Sequence, residues 1–119
     1  MVIKEPYLLI LFGSRARETA GRQSDVDVAV LTDHPLSLEE KSDLVLMAAK
    51  QLRVSEEHID LVDLWNAPPL LQRRVADEGK LLRGDAFAFL RFRVLAWKRY
   101  QDTAKFRRAR ERALAHHAQ

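Results

Sequence analysis

Hydrophobic and polar positions follow two different periods along the chain. Residues 7–13, Tyr-Leu-Leu-Ile-Leu-Phe-Gly, form a continuous apolar run closed by glycine, the pattern of a strand buried on both faces. Ser14 then offers a cap and Gly21 a stop, which predicts one or two helical turns over 14–21. Residues 25–32, Asp-Val-Asp-Val-Ala-Val-Leu-Thr, alternate with the strand period. That alternation puts Asp25, Asp27 and Ala29 on one face and Val26, Val28 and Val30 in the core. Ser37 and Glu40 have the spacing of a capping box, opening a helix to near Arg53 with Leu38, Leu44, Val45, Ala48 and Leu52 as its apolar stripe. His58 to Trp65 reads as a third strand and Pro69 to Glu78 as a second helix ended by Gly79. Lys80-Leu-Leu adds an edge strand.

From Asp85 to about His116 there is no Gly or Pro, which predicts one long helix. It carries two apolar stripes, Phe87, Leu90, Val94 and Trp97, and, round the cylinder, Phe89, Phe92, Ala96 and Tyr100. A small domain needs only one of them, so the second stripe is expected to face a partner. The order of elements predicts an α+β domain with α/β-like alternation: a small mixed sheet of three to five strands flanked by helices. Residues 1–84 hold the sheet, and residues 85–119 are the C-terminal helix of the same domain.

Charge sharpens this division. The net charge is +3, but residues 1–90 hold 11 Lys/Arg against 15 Asp/Glu, and residues 91–119 hold 9 against 2. An acidic body with a basic tail marks the tail as an interaction surface, or simply as a solvated helix. The 119 residues contain no cysteine, which excludes disulfides and thiolate metal sites. With no apolar run long enough for a membrane span and no signal-peptide pattern, the chain is expected to be cytoplasmic.

Two short stretches carry candidate chemistry. Gly13 and Ser14 lie where a strand feeds a helix start, a place where backbone N–H groups receive anions, with Arg15 and Arg17 nearby. Alone, such a pair also makes an ordinary turn and cap. Asp25 and Asp27 are two apart on a strand, roughly 6–7 Å between Cα atoms, so their carboxylates can converge on a hard cation such as Mg²⁺ or Mn²⁺. The plainer reading is one capping and one solvated aspartate. A third acid on a neighbouring strand would complete a two-metal site. Asp60, between Ile59 and Leu61, is the first choice, since a charge well inside a strand is costly unless it is paired. Asp63, on the opposite face, is the reserve. His34, His58, His116 and His117 read as structural or solvated, and Trp65 and Trp97 as core or interface.

Gly13-Ser14, ten residues, Asp25-x-Asp27, and then an aspartate in an apolar strand resemble the nucleotidyltransferase-β superfamily. The lead-in Leu11-Phe-Gly-Ser-Arg-Ala-Arg17 and the short chain resemble its minimal nucleotidyltransferase branch, antitoxins that accompany HEPN-domain ribonuclease toxins. The resemblance implies the nucleotidyltransferase fold and a protein adenylyltransferase that uses ATP and Mg²⁺ to place AMP on a toxin tyrosine. It further implies that Asp25, Asp27 and Asp60 hold the metal ions, and that Asp60 helps deprotonate the acceptor. Gly13, Ser14, Arg15 and Arg17 would grip the leaving phosphates. Other readings are a small-molecule nucleotidyltransferase completed by a dimer, an antitoxin that acts only by occlusion, and a nucleic-acid binder using the basic tail.

Overall fold

A computed structural model describes residues 7–13 and 25–117. The predicted helical turns over 14–21, with Ser14, Arg15 and Arg17, lie outside the described residues. The elements run β1 (Leu8–Phe12), β2 (Val26–Leu31), α1 (Leu38–Leu52), β3 (Ile59–Asp63), α2 (Pro69–Glu78), β4 (Lys80–Arg83) and α3 (Ala86–His117). The four strands form one mixed sheet in the order β3-β2-β1-β4. β1 is antiparallel to both β2 and β4, while β2 and β3 are parallel. A parallel pair needs a crossover, and α1 supplies it.

Both faces of the sheet are covered, which is why β1 is an unbroken apolar run. On one face Leu9, Val26, Val28 and Val30 pack against Leu44 and Ala48 of α1. On the other, Ile10, Phe12 and Ala29 meet Val75 and Ala76 of α2 and Phe92 and Ala96 of α3. Gly79 permits the close approach of α2 to the sheet: a Cβ there would stand 2.6 Å from Ile10 Cγ2.

The start of α1 is fixed by its capping box. The Ser37 hydroxyl accepts from the Glu40 amide at 3.1 Å, and the Glu40 carboxylate accepts from the Ser37 amide at 2.9 Å. Glu40 also reaches His34, whose ring nitrogens lie 2.7 Å from Asp33 and 2.7 Å from Glu40. Hydrogen bonds to Asp33 first and Glu40 second raise the His34 pKa above its ordinary 6.5. The same contacts contribute to lowering both carboxyls, with the Ser37 amide as the largest cause for Glu40. The raised histidine stabilises the fold fully below its unfolded pKa and loses that contribution as pH rises through the folded value. The lowered acids contribute above their unfolded pKa values and lose it as pH falls through their folded ones. Melting temperature is therefore expected to peak in mildly acidic solution. His34→Gln should flatten the decline on the alkaline side, a difference that a series of melts from pH 5 to 9 would read.

α3 corrects one expectation. Phe92 and Ala96 are buried, Phe89 and Trp97 pack against the same core, and Tyr100 stacks between the guanidiniums of Arg73 and Arg107 at 4.4 and 4.1 Å. The second stripe thus covers this chain's own sheet, joined there by Trp97 of the first stripe, whose other members, Phe87, Leu90 and Val94, are each more than half exposed. The small side chain at Ala96 explains the choice, because it lets α3 come down onto α2 and the sheet, whereas Val94 and Leu90 would hold it off. At 32 residues α3 is ~48 Å long. Beyond Thr103 and Ala104 its described residues are exposed. No helix among the described residues is long and apolar enough to cross a membrane.

Candidate active site

The parallel register of β2 and β3 sets Asp27 directly beside Asp60. Both side chains project from the face carrying α2 and α3: Ala29, two residues after Asp27, and Val62, two after Asp60, pack into that core. The two carboxyls therefore face each other as neighbouring like charges. Burial, then the charge of Asp60, pushes the Asp27 pKa up; Arg74 opposes this and Asp25 adds to it. Asp60 itself is exposed on the edge strand. The cost anticipated for a charge deep in a strand is therefore not one of burial; it comes from like charges held side by side.

Asp25 precedes β2 on the same side and is exposed, with a carboxylate oxygen 3.7 Å from His58 Nδ1. Asp63 is placed apart from this group. It lies at the far end of β3, where its carboxylate accepts from the Leu36 and Trp65 amides, each at 3.0 Å, and so ties two turns together.

Gly13 closes the site on the β1 side. Phe12 pairs with Asp27, so the next residue turns over the Asp27 carboxyl. Its φ of +78° belongs to the left-handed region that glycine enters freely. A Cβ at this position would run into the Asp27 carboxylate. The Gly13 amide donates to Glu78 at 3.0 Å, and Glu78 lies 3.4 Å from the guanidinium of Arg74. Arg74 in turn sits 5.7 Å from the centre of the Phe12 ring. Arg74 and Glu78 are the residues that sequence reasoning missed. Their four-residue spacing on a predicted helix was visible, but nothing in it pointed across to Gly13.

The donor set suits a hard divalent ion. Its groups are carboxylate oxygens without sulfur, and two of them are already crowded enough that a cation would relieve their repulsion. Among the described residues no three such side chains stand as a ready ligand set.

Paired acids at adjoining strand ends beside a glycine turn, on a small mixed sheet, define a nucleotidyl-transferring domain. The family model described as "Polymerase beta, Nucleotidyltransferase" matches residues 3–86, and the chain belongs to that family. It is similar to two proteins named protein adenylyltransferase MntA. That of Shewanella oneidensis is 38% identical over 77 residues, 65% of this chain and 53% of the relative. That of Aphanizomenon flos-aquae is 34% identical over 112 residues, 80% of this chain and 71% of the relative. The chain thus spans about half the length of the first relative and more of the second. Among solved structures, one described as a toxin–antitoxin with AMP-PNP superposes with a TM-score of 0.72 at 32% identity, covering 91% of this chain and 85% of that one. A second is the tri-AMPylated HEPN toxin of Shewanella oneidensis in complex with its MNT antitoxin. It has a TM-score of 0.65 at 30% identity, covering 91% of this chain and 82% of the other.

Proposed function

We propose that this protein is an antitoxin that moves AMP from ATP onto a tyrosine hydroxyl of a cognate HEPN ribonuclease toxin and so neutralises it. The observation that carries the reading is the in-register Asp27–Asp60 pair lying against the Gly13 turn. The names of the relatives and the modified toxin in the neighbouring complex give the acceptor its chemical class.

Asp25, Asp27 and Asp60 would hold Mg²⁺ or Mn²⁺, which supplies charge neutralisation and alignment at the α-phosphate. The rest falls to this chain. Gly13, without a side chain, lets the β- and γ-phosphates come close to the backbone, and Ser14, Arg15 and Arg17 receive them, while the Gly13 amide itself stays with Glu78. Asp60, exposed at the sheet edge, takes the proton from the acceptor hydroxyl. The acceptor oxygen bonds to the α-phosphorus as the bond to the β-phosphate oxygen breaks, and pyrophosphate leaves. Incubating the protein with Mg²⁺, ATP and the product of a neighbouring HEPN gene, then weighing the intact partner, tests this. Mass gained in whole AMP units supports transfer, and an unchanged mass refutes it.

The acceptor needs a surface, and α3 offers one: Phe87, Leu90 and Val94 form an exposed apolar row beside Arg91, whose guanidinium lies 5.6 Å from the Phe87 ring centre. Interfaces concentrate aromatic, aliphatic and arginine side chains in this way. Changing Leu90 and Val94 together to Asp is expected to weaken toxin binding by about 100-fold or more, the scale of a central hot spot. Since both are more than half exposed, the melting temperature should stay close to the parent value. Calorimetric titration alongside a melt would check both. The same exposed row favours a second reading, inhibition by occlusion alone. Under it, a variant without Asp25 and Asp27 would still silence the toxin.

A further inference from the structure

Glu78 is the last residue of α2, a poor place for a carboxylate, because the helix dipole presents its negative end there. Its partners include two that offset the cost. The Gly13 amide donates to it at 3.0 Å and the Arg74 guanidinium lies 3.4 Å away, and the side chain is only 18% exposed. Gly79, immediately after, is what brings this helix end against β1, since a Cβ there would collide with Ile10. The contact therefore spans 65 residues of sequence and joins the end of α2 to the turn that follows β1.

Gly13 has no side chain to fix its left-handed turn, and the Asp27 carboxyl fills the space a Cβ would take. A backbone N–H accepted by an ionised carboxylate is among the stronger local restraints in proteins. Arg74, held by the same carboxylate, rests over Phe12, and its charge acts on Asp27. Without Glu78 the Gly13 amide loses this acceptor.

We infer that Glu78 is a positioning residue: by accepting from the Gly13 amide it holds the backbone there in the shape that receives the nucleotide's phosphates. This rests on the nucleotide-transfer reading above, so its test is an equilibrium one that needs no toxin. Binding of Mg·AMP-PNP is measured for the parent protein, Glu78→Ala and Glu78→Gln, with a melt of each and the chemical shift of the Gly13 amide. Glutamine keeps an acceptor for Gly13 and removes the charge. Glu78→Ala is expected to weaken binding by about tenfold or more and to shift the Gly13 amide, while Glu78→Gln stays within about threefold.

Equal binding by the parent and both variants overturns the inference. So does a loss that Glu78→Gln fails to rescue, or one that merely follows a fall in melting temperature. Should Glu78→Ala not fold, a Glu78→Gln protein that folds but binds tenfold more weakly also overturns it. If the parent binds the nucleotide yet leaves the toxin's mass unchanged, the transfer reading fails while Glu78 is still judged by binding.

Discussion

Asp27→Asn is expected to cut nucleotidyl transfer by about 10³-fold or more and at the same time to make the ligand-free protein harder to melt. The first effect follows from removing the central carboxylate of the site, the one flanked by both Asp25 and Asp60. The second follows from the raised pKa of Asp27. A carboxyl whose folded pKa lies above its unfolded value contributes stability below the unfolded pKa and loses it as pH rises through the folded one. Once ionised, the side chain is therefore a burden on the fold, caused by burial first and by Asp60 second. Asparagine keeps the shape and removes the repulsion. A rise in melting temperature of about 2–4 °C at pH 7 without divalent ions is expected. Adding Mg²⁺ should reverse the order: the parent gains stability by binding the ion and the variant does not. A pair of melts with and without Mg²⁺, beside the transfer assay, checks all three outcomes.

Gly13→Ala should be damaging on both counts at once. At φ +78° an L-residue pays ~1–2 kcal/mol for the left-handed conformation. The added methyl has nowhere to go, because the Asp27 carboxyl occupies its space. Escape means moving the turn away from the site or turning Asp27 away from Asp60. Transfer is expected to fall by about 100-fold or more, with a stability loss of roughly 2–4 kcal/mol. Urea unfolding gives the second number and the partner's mass the first. A protein of parental stability with full activity would contradict the tight approach of Gly13 to Asp27.

Much of this was legible in the chain. The strict alternation of residues 25–31 put Asp27 and Ala29 on the face opposite Val26 and Val28, and β2 has that arrangement. The capping box at Ser37 and Glu40 fixed the start of α1, and Pro69 and Gly79 bracketed α2. Local patterns of this kind carry their own geometry. The neighbour of Asp27 was not legible in the same way. A strand states which residues share its face, but the pairing register with β3 decides whether Asp60 stands beside Asp27 or two residues along. Likewise α3 shows two apolar stripes, and nothing within the helix says that Ala96 rather than Val94 would settle onto α2. The link from Glu78 to Gly13 depends on where a helix end comes to rest, which no spacing along the chain reveals.

The position of Asp60 has a consequence for how inactive versions of this protein should be built. β3 borders the sheet among the described residues, and Ile59, Leu61, Val62 and Leu64 surround it with aliphatic side chains. A border of that composition invites other chains to add strands, and a charged side chain on it is one of the devices that prevents it. Asp60 therefore keeps this border charged whether or not it turns over substrate. Valine or alanine there would confuse lost chemistry with lost solubility; lysine or asparagine keeps the border polar and separates the two.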